Sequence, residues 1–290
     1  MSSPKVTALR VEGRAPRVLT IDVEDWFHVC GDDFYSDPRR WDSFASRVEK
    51  SMRFLFETLE RGGHRATLFF LGWIARRYPD LVREGVRGGH EIAVHGDAHR
   101  RADEMTPAEF REDLARSRAT IEGAAGATSV SYRAAEWSIR DPSQPALEVL
   151  ASEGFACDAS MTTVPYLGRN GNLPGPHRVD FGGESLIEVP PLTGPGFGQI
   201  VPMGGAWPFR MFSPDRLRAQ EERFREAGLP AVFTFHPWEF DAEHPPMEGL
   251  SALVRLVHFY NLKGLPERFE KWLAEDRCVA LADVLPRLAA

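Results

Sequence analysis

Two histidines four residues apart, in His95-Gly96-Asp97-Ala98-His99, offer the clearest chemistry in the sequence. If that segment turns into a helix past a strand, both imidazoles point the same way and can share one tetrahedral metal. By spacing alone two surface histidines are the commoner reading of such a pair, since spacing rarely identifies a site. A third ligand is at hand in Asp22-Val23-Glu24-Asp25. Asp22 and Glu24 stand at i and i+2, on one face of an extended strand. One carboxylate can then bind a metal while the other serves as a base, with Asp25 as the rival for the ligand position. His236 lies between aromatics and a proline in FTFHPW, as a packing residue or an acid. Arg133 could hold a catalytic aspartate by a bidentate ion pair. Asp158 is either a turn residue or a carboxylate that orients and charges an imidazole. Trp137 and Trp238 lie just past candidate site residues, and aromatic faces suit sugar rings.

The elements that must position these residues alternate between short β-rich runs and helical stretches. RVLTIDV (17–23), ATLFFL (66–71), EIAV (91–94), SVSY (129–132), the run leading into Cys157, LIEV (186–189) and AVFTF (231–235) read as strands. Between them, 43–60 has the three-and-four apolar spacing of an amphipathic helix, and further helices are expected over 79–87 and 145–153. Thr106-Pro107-Ala108-Glu109 has the form of a capping box with proline at the first helical position. Ser213-Pro214-Asp215 opens a charged helix that closes at Gly228. Residues 162–208, rich in Gly and Pro, read as long loops with one clear strand. Repeated strand–helix units predict an α/β fold with a parallel sheet, open or closed into a barrel. Asp22, His95, Arg133, Asp158 and His236 all fall at the same end of five such strands, the rim where barrels build their sites.

Composition bounds the remaining possibilities. The chain has 290 residues, 43% of them hydrophobic, which suffices for a large core. A net charge of -7 argues against nucleic acid and anionic membranes as partners. No apolar run is long enough to span a bilayer, and residues 1–17 lack the apolar stretch of a signal peptide, so a cytoplasmic protein is expected. Three widely spaced cysteines, Cys30, Cys157 and Cys278, do not suggest a disulfide framework.

Taken together, the motifs resemble those of the polysaccharide deacetylases with a NodB-like domain, carbohydrate esterase family 4. GGHEIAVHGDAH resembles the second motif, TIDVED the first, YRAAEW the third, FACDAS the fourth and FTFHPWEF the fifth, in the family's order. DVEDWF, MGGAWPFRMF and FYNLKGLPERFEKWL are similar to the subfamily encoded near exosortase/PEP-CTERM and exopolysaccharide loci, close to the allantoinase-like PuuE branch. The resemblance implies a distorted (β/α) barrel of about seven parallel strands over residues 1–290, with a C-terminal helical extension from about 245. It implies a divalent metal, usually zinc, held by His95 and His99; the i, i+2 spacing assigns the third ligand to Glu24, with Asp25 as the rival. Asp22 would be the general base held by Arg133, and His236 the general acid tuned by Asp158. Glu136, through its backbone N–H, Trp137 and Trp238 would meet substrate. Ala135 stands where proline is usual. The implied substrate is an N-acetylated sugar, glycan or lipid-linked glycan precursor; an allantoinase-like amidase and a carbohydrate-binding pseudoenzyme are the alternatives.

Overall fold

The computed structural model describes residues 4–28, 34–35, 37–169 and 171–290. The run RVLTIDV forms strand β1 (Arg17–Val23), buried along its whole length as a strand covered on both faces must be. It is followed by β2 (Thr67–Phe70), β3 (Glu91–Val94), β4 (Ser131–Tyr132), β5 (Cys157–Asp158), β6 (Ser185–Glu188) and β7 (Ala231–Phe235). From β1 to β6 each strand pairs in parallel with the next, and β7 pairs in parallel with the free side of β1. Chain order is therefore spatial order around a ring of seven parallel strands. An open doubly wound sheet would reverse that order at a switch point.

No ladder joins β6 to β7 among the described residues. The chain leaving β6 closes the seam instead. Leu192 N–H donates to the Val232 carbonyl (3.0 Å), and Thr234 N–H to the Gly204 carbonyl (2.6 Å). A Cβ on Gly204 would stand 2.2 Å from the Val232 carbonyl oxygen, so a side chain cannot be accommodated there without opening the seam. The barrel is distorted because this closure is irregular.

Helices α1 (Val48–Gly62), α2 (Gly72–Arg77), α3 (Pro79–Arg87), α4 (Pro107–Ala125), α5 (Pro145–Ser152), α6 (Ala206–Met211) and α7 (Pro214–Glu226) connect the strands. Thr106 and Glu109 form the reciprocal capping box at the start of α4. Strand residues alternate between two cores. Val18, Phe69, Ala93, Cys157, Ala159, Val189 and Val232 fill the barrel interior. Leu19, Ile21, Leu68, Val94, Tyr132, Leu186 and Phe233 pack outward on the helices.

Two segments differ from the sequence reading. Residues 162–208 hold more than one strand: His177–Asp180 runs antiparallel to β6 and to Lys5–Ala8, and Thr193–Gly196 forms a hairpin with Gln199–Pro202. The Thr-Gly-Pro-Gly strand has poor β propensity and exists through its edge pairing, which tolerates proline. After α8 (Ala252–Phe259) and α9 (Leu265–Leu273) the chain becomes extended again, with Cys278–Val279 beside the start of β1 and Leu288–Ala289 paired to Arg10–Val11. Cys157 and Cys278 are buried free thiols, and Cys30 lies outside the described residues. No helix among the described residues is long and apolar enough to cross a membrane.

Helix α1 starts at Val48 rather than near Ser43, and Asp25 explains why. Its carboxylate, 1% exposed, accepts the N–H groups of Trp26 (2.9 Å) and Arg47 (3.1 Å) and the Ser46 hydroxyl. It therefore pins the chain ahead of the helix and caps the first turn. Burial pushes the Asp25 carboxyl upward and these donors offset only part of that rise. Each buried donor left unmade costs about 1–3 kcal/mol, so Asp25→Ala should lower stability by about 2–4 kcal/mol. Urea unfolding measures this; unchanged stability together with lost metal binding would instead make Asp25 a ligand.

Candidate active site

The alternation that builds the two cores also decides which polar residues enter the barrel. Asp22 shares the inward orientation of Val18 and Thr20, and His95 that of Ala93. Arg133 follows the outward Tyr132, and His236 the outward Phe235, so both point inward. All four lie at the C-terminal ends of their strands. Asp158 stands between the inward Cys157 and Ala159 and so faces the helices.

At the end of β1 the chain does not stay extended. Glu24 N–H donates to the Asp22 carbonyl (2.9 Å), a three-residue turn that brings the Glu24 carboxylate over the rim. His95 Nε2 lies 2.8 Å and His99 Nε2 3.0 Å from Glu24 Oε1. The histidine segment is not the expected helix. Gly96 (φ 79°) and His99 (φ 52°) are both left-handed, and Asp97 N–H is held by the Asp113 carboxylate at 2.9 Å. A loop, not an i, i+4 helical face, makes the two rings converge. His95 Nδ1 donates to the Arg133 carbonyl (2.8 Å), which fixes the tautomer and leaves Nε2 as the electron-pair donor.

These three residues fit a divalent cation. Their ligand atoms lie within 4.8 Å of one another, as two nitrogens and one carboxylate oxygen. Glu24 is buried, and its salt-bridge partners among the described residues are imidazoles alone. Burial pushes its carboxyl up, but His99, His95 and His236 outweigh that and hold it well below the usual range. Burial pulls His99 down and Glu24 outweighs it, so the ring is held above its ordinary value. Compensation for Glu24 therefore comes from an imidazole proton or from a cation in its place. Three protein ligands with a free side is the arrangement of catalytic rather than structural zinc sites.

Asp22 flanks this cluster. Arg133 Nη1 donates to Asp22 Oδ1 (2.6 Å) and Thr20 Oγ1 (2.9 Å), and Arg133 Nε to the Ala159 carbonyl (2.9 Å). The ion pair is thus made through one nitrogen, not the expected fork: Nε is spent on Ala159 after β5, Nη2 has no hydrogen-bond partner among the described residues, and the guanidinium lies against the faces of Phe69 (4.4 Å) and Trp137 (5.0 Å). His236 Nε2 stands 3.8 Å from Asp22 Oδ2, too far for a hydrogen bond but close enough for charge to act. Asp22, Glu24 and His236 form a second group of convergent donor atoms.

The partner of His236 is a correction to the sequence reading. Glu239 Oε2, not Asp158, meets His236 Nδ1 (3.1 Å) and accepts the His236 backbone N–H (2.9 Å). Glu239 is itself buried beside Arg210 (3.4 Å). Burial pulls the His236 imidazole down, and Glu239, Glu24 and Asp22 more than reverse this, pushing it up to about 9. The usable signal was the spacing His236-Pro-Trp-Glu239, an acid three residues into the turn that β7 enters. A second residue passed over is His28, buried beside His99 at 6.3 Å between ring centroids, with its Nδ1 accepting Asp25 N–H (3.0 Å).

The rim residues are placed as follows. Ala135, Glu136 and Trp137 form a tight turn after β4, with Glu136 and Trp137 at φ 55°. The Glu136 carboxylate pairs with Arg101 (2.9 Å). Trp137 is half-buried. Trp238, also half-buried, stacks on His258 (4.2 Å, 2°) and lies 5.6 Å from His236, so its ring is largely engaged in packing these two imidazoles.

Comparison with known proteins adds family and fold. Residues 41–154, which include His95, His99 and Arg133, match the polysaccharide deacetylase family model, and residues 159–285, which include His236, match a domain of unknown function, DUF3473. No curated protein matches the chain. A Mycobacterium smegmatis structure described as a polysaccharide deacetylase superposes with TM-score 0.61 at 20% identity, over 95% of this chain and 94% of that one. A peptidoglycan N-acetylglucosamine deacetylase superposes with TM-score 0.52 at 13% identity, over 95% and 90% of the two chains. A mutant of a carbohydrate esterase family 4 pseudoenzyme with restored enzymatic activity gives TM-score 0.50 at 13% identity, over 94% and 68%. Residues 41–154 thus match the polysaccharide deacetylase family, and the chain as a whole has the α/β fold of NodB-like deacetylases.

Proposed function

We propose that the protein is a metal-dependent hydrolase that removes N-acetyl groups from an amino-sugar-containing glycan or glycan precursor. The observation that carries this reading is the pairing of a Glu24–His95–His99 donor set with Asp22 and His236 on its free side. A divalent cation in that set, zinc by the chemistry of its donors, would supply a polarised acyl oxygen and a more acidic water. Asp22, its one oxygen fixed by Arg133, is oriented to take the proton of the attacking water. His236, kept charged by Glu239, gives a proton to the leaving amine, which departs poorly without one. The Glu136 N–H in the β4 turn is the backbone donor for the developing oxyanion. Trp137, whose ring covers Arg133, is an aromatic wall beside the base, and Trp238 contributes by packing the acid. The stretches MGGAWPFRMF and FYNLKGLPERFEKWL support a place in the exosortase-locus subfamily and hence a lipid-linked or exopolysaccharide substrate.

The roles of the carboxylates separate in one set of variants. Asp22→Asn should keep its metal and lose most acetate release, whereas Glu24→Gln, His95→Ala and His99→Ala should lose metal on dialysis. Elemental analysis beside an acetate-release assay on N-acetylated oligosaccharides reads both; full metal stoichiometry in both histidine variants removes the site. Metal bound with no release from any acetylated sugar would point to a binding module.

The acid is tested through its pH profile. His236→Ala should lower kcat by about 10²- to 10⁴-fold with the fold intact. A general acid works only while protonated, so activity falls as pH rises through its pKa. Because Glu239 holds that value up, to about 9, Glu239→Gln should move the alkaline limb of the kcat profile to lower pH. Asp158→Asn should leave the limb in place, and a limb that moves only in that variant would restore Asp158 as the partner.

A further inference from the structure

Asp158 and Glu188 stand directly opposite each other in the β5–β6 ladder, and neither has any exposed surface. The hydrogen bonds around them leave one arrangement. The Ser160 hydroxyl accepts Ala134 N–H (2.8 Å) and so spends its own hydrogen on Asp158 Oδ1 (2.6 Å). Glu188 Oε1 accepts Met161 N–H (2.9 Å). The remaining oxygens, Asp158 Oδ2 and Glu188 Oε2, have no donor among the described residues. Two bare carboxylate oxygens in a dry layer repel strongly; one proton between them turns that repulsion into a short charge-assisted hydrogen bond.

We propose that Asp158 and Glu188 share a single proton and act as positioning residues, holding the turn after β4 against the site. The chain of contact runs from Glu188 to Asp158, to Ser160, and to Ala134 N–H, at the root of the Ala135–Trp137 turn. Met161, tied to Glu188, and Ala159, whose carbonyl receives Arg133 Nε, belong to the same segment. The pair therefore sits behind both the residue that orients Asp22 and the turn assigned to the oxyanion. That catalytic role rests on the deacetylase reading, whereas the shared proton does not.

Burial and the neighbouring Asp158 charge hold the Glu188 carboxyl well above its ordinary range, with Arg133 opposing. The other groups facing the pair are few. Tyr132 and Arg133 come from β4, Cys157 from β5, and His177 is opposite Glu188 on the adjoining strand. On α5, packed against β6, the charged residue is Glu148, which is exposed. Raising a carboxyl in the folded state makes stability fall with pH from the unfolded value of about 4.3 up to the folded value.

Infrared spectroscopy and paired stability curves test the proton directly, without substrate. The wild-type protein should show a protonated carboxylic acid band at pH 7 that Glu188→Gln abolishes. Between pH 5 and 7 its folding constant should fall relative to that of Glu188→Gln by up to about tenfold per pH unit, one proton's worth. Glu188→Gln and Asp158→Asn each supply an amide N–H in place of the proton and should fold with near wild-type kcat. Glu188→Leu, which cannot, should lose between about tenfold and a hundredfold in kcat per folded molecule with KM little changed. No acid band and a parallel pH dependence would overturn the shared proton. The band present with equal kcat in Glu188→Leu and Glu188→Gln would overturn the positioning role, and absence of acetate release in every form, band intact, would count against the deacetylase reading alone.

Discussion

Arg133 is the residue on which the site's geometry depends. A guanidinium 1% exposed has surrendered its hydration, which costs several kcal/mol unless its surroundings replace it. They do so for Nε and Nη1 from Asp22 and Thr20 on β1 and the Ala159 carbonyl after β5, with the ring of Phe69 on β2 beneath, while Nη2 has no hydrogen-bond partner among the described residues. Its backbone is equally committed. The Arg133 N–H donates to Val94 on β3, and its carbonyl receives His95 Nδ1. One residue thus sets the aim of Asp22 and the tautomer of His95. Truncating such a residue would leave Asp22 buried and unpaired, a change costing about 3–5 kcal/mol before any chemistry is considered.

Around that hub the charges are partitioned. Arg133 answers Asp22 and Arg210 answers Glu239, each with hydrogen bonds that fix geometry. Of these three carboxylates, Glu24 has salt-bridge partners among the described residues that are all imidazoles, which can release a proton. Of the three, the carboxylate without a permanent counter-charge is the one free to accept a cation. The same division keeps Asp22 and His236 on separate supports, Asp22 within the sheet and His236 on a turn clamped by its own third neighbour.

How much of this was legible in the sequence follows from which forces act locally. The strands EIAV and AVFTF and the α4 capping box are set by short-range pattern and burial, and their limits can be read directly. The orientation of Asp158 was not read because FACDAS is short, with alanines on both sides, and gives no strong alternation to phase it. The helical reading of His95–His99 failed for a related reason: a glycine and a left-handed histidine override spacing. Glu239 was visible in FTFHPWEF but needed the turn to bring residues 236 and 239 together. The role of Asp25 was hidden because its partners, Ser46 and Arg47, are brought to it only by the fold.

The irregular seam has a consequence for how the molecule yields. A continuous ladder runs from β7 through β1 to β6, whereas the ends of that ladder are joined by isolated hydrogen bonds across Leu192 and Gly204. Across that gap, opening breaks fewer inter-strand backbone hydrogen bonds than within the ladder. His236 and Glu239 hang from the edge of that gap, while Asp22, Glu24 and His95 belong to the middle of the ladder. The barrel is therefore a split collar: its closed arc holds Asp22, Glu24 and His95 in fixed register, and His236 and Glu239 stand at its cut end.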